Sequence, residues 1–162
     1  MNLTLAPRGI LQIDDARICF RNFKGEGGRF NREGDRNFAL IIPDEQMARD
    51  LLADRWNVKI KPPREEGDDP FMYLSVKVKF NDHGPVIYLR NGKVRQRITE
   101  DMAHILDNVT IDHVDLDIRP YDYDVDERIG GTGRTAYLQS MEVFQIVDRF
   151  DQRYEEEYGY VQ

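Results

Sequence analysis

Cysteine is almost missing from this chain, with Cys19 the single one in 162 residues. No intrachain disulfide can form, every cysteine-based zinc motif is excluded, and the usage fits a reducing cytosol. Long apolar runs are missing too: no stretch approaches the length that crosses a bilayer as a helix. The opening MNLTLAPRGILQID has neither a basic n-region nor a long apolar h-region, so no secretory signal is expected there. Histidine is scarce. His83, His104 and His113 fall in a turn, a helix-like run and a strand-like run, with no motif spacing among them or to a nucleophile, which gives catalysis little support. No repeat divides the chain.

What is present describes a globular protein: 40% apolar and 33% charged residues suit a buried core with a solvated surface. The length suits one domain, expected over residues 1–147, with an acidic tail over 148–162. The net charge of −7 speaks against a polyanionic partner until its distribution is read. Residues 1–97 hold 18 Lys+Arg against 14 Asp+Glu, a balance of +4, whereas residues 98–162 hold 5 against 16, a balance of −11. A basic first part and an acidic second part suggest a binding surface and an acidic segment on one chain.

The stretch from Arg17 to Ile42 carries the strongest signal. Alternation puts Ile18 and Phe20 on one face of a strand and Cys19, Arg21 and Phe23 on the other. A glycine-rich loop follows, with Lys24, Arg29, Phe30, Arg32 and Arg36 among its glycines. It reads as a flexible basic flap that orders over a bound strand. Pro43 and Asp44 then open a short amphipathic helix through Met47, Leu51 and Leu52 to about Arg55. Trp56, Val58 and Ile60 oppose Lys59 and Lys61, and Phe71 to Phe80 is a strand with Met72, Leu74, Val76, Val78 and Phe80 inward and Tyr73, Ser75, Lys77 and Lys79 outward. Asn91-Gly92 predicts a hairpin whose outer residues are Tyr88, Arg90, Lys93, Arg95 and Arg97. Thr99 is a candidate cap for a second short helix, and strands are expected over Val109–Tyr121 and Thr135–Val147. In the last strand Leu138, Phe144 and Ile146 oppose Tyr137, Met141 and Val143.

The outer positions of four successive strand-like runs are therefore basic or aromatic and never acidic. Arg21, Phe23, Lys24, Arg29, Phe30, Arg32, Arg36, Lys59, Lys61, Tyr73, Lys77, Lys79, Tyr88, Arg90, Lys93, Arg95 and Arg97 form the candidate set, because cations interleaved with rings suit a phosphate backbone bearing exposed bases. Trp56 falls on the core side. Two other motifs fail on spacing. Asp122, Asp124 and Asp126 begin like a calcium loop, but Glu127 stands where glycine is needed and Gly133 where a bidentate glutamate is needed. Gly130-Gly131-Thr132-Gly133-Arg134 lacks the lysine and hydroxyl of a phosphate-binding loop. No metal or cofactor site is expected.

Strands broken by one or two short helices, a basic aromatic sheet face and an acidic C-terminal segment together resemble phage-type single-stranded DNA-binding proteins of the OB-fold. Phe20-Arg21-Asn22-Phe23 and Asn31-Arg32-Glu33-Gly34-Asp35-Arg36-Asn37-Phe38 are similar to strings in such proteins. The resemblance implies a mostly β chain: an OB-fold-like five-stranded antiparallel barrel with an added hairpin and one or two short helices. It implies no enzyme, but a protein that coats single-stranded DNA in phage replication or recombination, in the host cytoplasm, with self-association open. The tail residues Asp148, Asp151, Glu155, Glu156, Glu157 and Tyr158 would then inhibit binding by docking on the basic face, or recruit replication or recombination proteins. Two alternatives stand beside it: an interaction or inhibitor module whose acidic half mimics DNA, and a metal-dependent nuclease using Asp112, Asp115 or Asp117.

Overall fold

A computed structural model describes residues 1–128 and 130–146. Ten strands form one sheet: β1 (Asn2–Leu5), β2 (Leu11–Ala16), β3 (Ile18–Asn22), β4 (Arg36–Ile41), β5 (Val58–Lys61), β6 (Phe71–Val78), β7 (Val86–Asn91), β8 (Val94–Ile98), β9 (Ile111–Asp122) and β10 (Arg134–Gln145). Among the described residues one α-helix, α1 (Glu45–Ala53), and two 3-10 helices, over Pro7–Gly9 and Glu100–Asp107, lie between strands. The mostly β, OB-like expectation holds.

Pairing runs β2-β9-β10-β6-β4-β3. The two ends of that path, β2 and β3, are separated only by Arg17, so one run of chain from Leu11 to Asn22 pairs with β9 through its first half and with β4 through its second. Five runs thus close on themselves as a barrel. The bend this requires sits at two interruptions of the ladder, between Ile13 and Ala16 and between Cys19 and Asn22, where Asp15 (φ +54°) and Phe20 (φ +51°) take left-handed backbone. Bulges of this kind turn a strand sharply, as barrel corners need. Four strands lie outside the ring: β1 on β2, β5 on β6, and the β7–β8 hairpin on β10. The barrel is not antiparallel throughout. Strand β10 runs parallel to β6 over Ala136↔Val76 and Tyr137↔Lys77, and parallel to β7 over five pairs.

One contiguous core fills the barrel, built from Phe38, Leu40, Leu74, Val76, Ile87, Ile98, Val114, Ile118, Leu138 and Val143 among others. Alternation places most of them as expected, Met72, Leu74, Val76 and Val78 included. In β10 a register shift between Leu138 and Ser140 advances the alternation by one residue. Leu138, Met141 and Val143 therefore share the interior, and Phe144 turns outward with Tyr137, which corrects the grouping expected from strict alternation. Helix α1 starts as the sequence indicates, with the Asp44 carboxylate accepting from the Gln46 N–H at 3.3 Å. Thr99 precedes the second helix without capping it; its hydroxyl donates to the Asp101 carboxylate instead.

Arg134, at the start of β10, ties one end of the barrel together. Its guanidinium donates to Asp122 at 2.6 and 3.0 Å and to the Asp54 carbonyl at 2.6 Å, and lies 5.0 Å over the ring of the fully buried Trp56. Those hydrogen bonds hold the Asp122 carboxyl below the usual carboxylate range. A lowered folded pKa means that this stabilisation is complete above the unfolded value, about 4, and is lost as pH falls through the folded one. Asp122→Asn should therefore flatten the fall in Tm below about pH 4 in thermal unfolding, and an acid limb identical to that of the native chain would contradict the assignment.

Candidate nucleic-acid interface

Register across the closed sheet lines up one row of outward side chains: Asn22, Asn37, Lys77, Tyr137 and Arg119, each directly opposite the next on β3, β4, β6, β10 and β9. Two residues further along β6, Ser75 faces Ala39, and two further again Tyr73 faces Ile41 on one side and Lys59 on the other. Phe71 then faces Lys61. The outer face thus carries Lys59, Lys61, Lys77 and Arg119 among Phe71, Tyr73 and Tyr137. Arg119 lies 4.8 Å over the Tyr137 ring, close enough for a guanidinium to hold an aromatic face.

The loop between β3 and β4 stands over this face as a tongue tied by its own hydrogen bonds. The Asn31 amide donates to the carbonyls of Glu26 (2.8 Å) and Asp35 (2.9 Å) and accepts from Asn37 (3.0 Å). Glu33 accepts from the Gly27 N–H at 2.6 Å, and Gly28 and Asn31 exchange backbone hydrogen bonds. Gly25, at φ +74°, packs so closely on Gly34 and Arg36 that an added Cβ would sit 3.2 Å from backbone. The root is fixed by Asp107, whose two carboxylate oxygens accept from the N–H groups of Phe23 (2.8 Å) and Lys24 (2.9 Å). At the tip Phe30 is 93% exposed, with Arg29 5.4 Å over its ring.

Tongue and sheet enclose a groove of about 890 Å³ lined by Phe30, Arg32, Arg36, Lys77, Lys79 and Tyr137 with others. Its acids are Asp35 and Glu100; Arg36 pairs with Glu100 at 3.2 Å and also donates to the Phe23 carbonyl at 2.9 Å. Cations remain in excess over acids along its walls. The groove is open, polar on its rims and apolar where the rings sit, a shape that admits a flexible charged polymer better than a compact ligand.

Several candidate residues lie elsewhere. Phe23, expected on the binding face, is 0% exposed and stacks on Phe38 at 5.4 Å between centroids, so it forms core and cannot meet a base. The bulge explains the exchange: one extra residue between Cys19 and Asn22 puts Phe20 outside, 59% exposed, and Phe23 inside. Arg21 is used structurally, its guanidinium donating to the carbonyls of Leu106 (2.8 Å) and Val109 (2.7 Å). On the hairpin, Tyr88, Arg90, Lys93, Arg95 and Arg97 stand apart from the groove and beside acids of β9 and β10. Arg90 and Arg95 both meet Glu142, at 2.8 and 3.4 Å, and Arg95 covers the Tyr88 ring at 3.6 Å. Asp115 and Asp117 border a separate small hollow with Tyr88, Arg95 and Glu142; their carboxylates accept from the Asp15 N–H and the Ser140 hydroxyl. Among the described residues no three His, Cys, Asp or Glu side chains converge as a metal-holding group. The acidic tail from Asp148 lies outside the described residues.

Residues 4–158 match the family described as "Putative phage ssDNA-binding domain". This chain belongs to that family. Its fold is shared by two solved structures. The single-stranded DNA-binding protein of bacteriophage Enc34 with a C-terminal truncation is 13% identical, with a TM-score of 0.53 over 91% of this chain and 92% of that one. The same phage protein in complex with ssDNA is 14% identical, with a TM-score of 0.57 over 92% and 93%. No curated protein matches the chain.

Sequence reasoning missed Phe20, Phe71, Arg119 and Tyr137 as neighbours of the groove face, because their side depends on register and a bulge that alternation within one strand does not reveal. The two phenylalanines of the Phe20-Arg21-Asn22-Phe23 string now have opposite expectations. In urea unfolding, Phe23→Ala should cost about 3–5 kcal/mol as a core truncation. Phe20→Gly, which removes an exposed ring and relieves a left-handed backbone that costs about 1–2 kcal/mol in a non-glycine residue, should change stability little. Equal losses would place both rings in the core.

Proposed function

We propose that this chain coats single-stranded DNA with little sequence preference, in phage replication or recombination within the host cytoplasm, and performs no chemistry on it. Lys59, Lys61, Lys77, Lys79, Arg29, Arg32, Arg36 and Lys24 neutralise phosphates, while Phe30, Tyr73 and Tyr137 receive bases. The hairpin cations Arg90, Lys93, Arg95 and Arg97 contribute at longer range, because Glu142 already balances part of their charge. The observation that carries this reading is the row Asn22, Asn37, Lys77, Tyr137, Arg119 beneath the tongue, a strip of cation and ring bordering an open groove. Family membership supports it, and so does the neighbour solved with ssDNA on the same fold. Stacking on rings is indifferent to base identity, and phosphate contacts are alike along the strand, so tolerance of sequence follows from both.

The tail, residues 148–162, carries five carboxylates, on Asp148, Asp151, Glu155, Glu156 and Glu157, with Tyr158 beside them. We read it as a competitor for the groove cations or a handle for replication and recombination proteins.

Titration of a fluorescent oligo-dT at several salt concentrations should give a straight line of log affinity against log salt, falling by roughly 0.7 for each phosphate neutralised. A flat line, or no binding, would overturn the reading. Tyr137→Ala should lose about 1–3 kcal/mol of affinity for oligo-dT, the range for one stacked base. Deleting residues 148–162 should tighten binding at low salt and matter less at high salt; equal affinities at low salt would remove the tail from competition.

A further inference from the structure

Phe20 is the one residue that lines both the 890 Å³ groove and a second hollow of about 480 Å³. The second hollow is lined by Lys61, Pro62, Pro63, Arg64, Asp68, Asp69 and Phe71. Both volumes fall in the range of roughly 300–1,000 Å³ that ligand clefts occupy. The ring that divides them is held upright. Phe71 and Tyr73 meet it edge-on at 6.0 and 5.8 Å, and the Lys61 ammonium lies 5.5 Å from its centroid. Its backbone is left-handed, which a bulky residue adopts only where its surroundings impose it. The bulge that bends the strand for barrel closure also turns this ring outward, where ordinary strand geometry would bury it beside Ile18. It stands 59% exposed between the two hollows, the second of which carries Lys61 and Arg64 together with Asp68 and Asp69.

We propose that Phe20 is a wedge separating two successive bases of a bound strand, and that the Lys61–Phe71 hollow is a second nucleotide subsite beyond it. This rests on the single-stranded DNA reading above. One base lies on the Lys77 and Tyr137 side of the wedge, and its neighbour lies against Pro62, Pro63 and Phe71. The connecting phosphates pass by Lys61 and Arg64 and avoid Asp68 and Asp69, which repel them. The bound strand is then unstacked at one fixed step, where a simple groove would leave consecutive bases in contact.

Short oligoadenylates carrying a single 2-aminopurine at successive positions give the test, because stacking quenches its emission. On binding the native chain, emission should rise several-fold at the interrupted step and little elsewhere. Phe20→Leu keeps the apolar bulk and every phosphate contact, so it should still bind while the emission stays near that of the free strand. Lys61→Ser with Arg64→Ser should lower the salt slope by about 1.4, roughly 0.7 for each lost contact, and only for strands long enough to pass the wedge. An emission rise that survives in Phe20→Leu, or a slope unchanged by the double variant, would overturn the proposal while leaving DNA binding intact. Absence of binding by the native chain to any of these strands would instead remove the reading on which it rests.

Discussion

Closure of the sheet is the constraint on which the rest depends. A sheet with two free edges leaves rows of unpaired N–H and C=O groups, and this chain removes most of that exposure by letting Leu11–Asn22 serve as both first and last strand of the ring. One run can do so only if it bends, and the bends fall at Asp15 and Phe20. Each bend reverses the alternation beyond it. The bulge that lets the barrel close is therefore the same one that carries Phe23 into the core and Phe20 out of it. Closure and the character of the outer face are decided by one backbone event.

Charge along the chain and charge in space turn out to be different things here. Among the described residues the acidic second half is not set apart from the basic first half. It supplies β9 and β10, which are inserted into the ring between strands of the basic first half. Beside β6 the residues β10 offers are Ala136 and Tyr137, and the cations of the groove keep their excess. Beside β7 it offers Glu142, which pairs with Arg90 and Arg95. A single strand of mixed composition, running parallel to two basic partners in turn, divides the cations into a free set and a compensated set.

How much of this was legible depended on whether the information was local. The β6 strand, the Asn91-Gly92 hairpin and the Asp44 cap rest on neighbours in sequence, and the structure keeps them. The helix after Thr99 and the facing of β10 were legible in existence and not in detail, since a 3-10 geometry and a bulge at Leu138–Ser140 answer to tertiary packing. β1 and β2 were not read as strands, being short, with Pro7 and Gly9 between them. For the site, Lys77, Arg32, Lys79 and Phe30 were found by type and face. Phe20, Tyr137 and Arg119 were missed because cross-strand register assembles them from positions 18 to 117 residues apart, and Phe23 was misplaced by a one-residue insertion in the ladder. The loop's glycines suggested freedom, yet Glu33 and Asn31 among them, and Asp107 from the 3-10 helix at their root, hydrogen-bond to the loop.

Barrel closure leaves the added hairpin outside its protection. Among the described residues β8 pairs with β7 alone, so its other edge offers backbone groups to any extended chain that approaches. Its sequence, Val94-Arg95-Gln96-Arg97-Ile98, sets two arginines into that edge, and like charges on two copies oppose their meeting side by side. The hairpin arginines thus have a duty to colloidal behaviour that is separate from any polyanion. Neutralising them would expose a short β-branched edge to self-templated pairing, and the cost would be registered in the solubility of the concentrated protein before it was registered anywhere else.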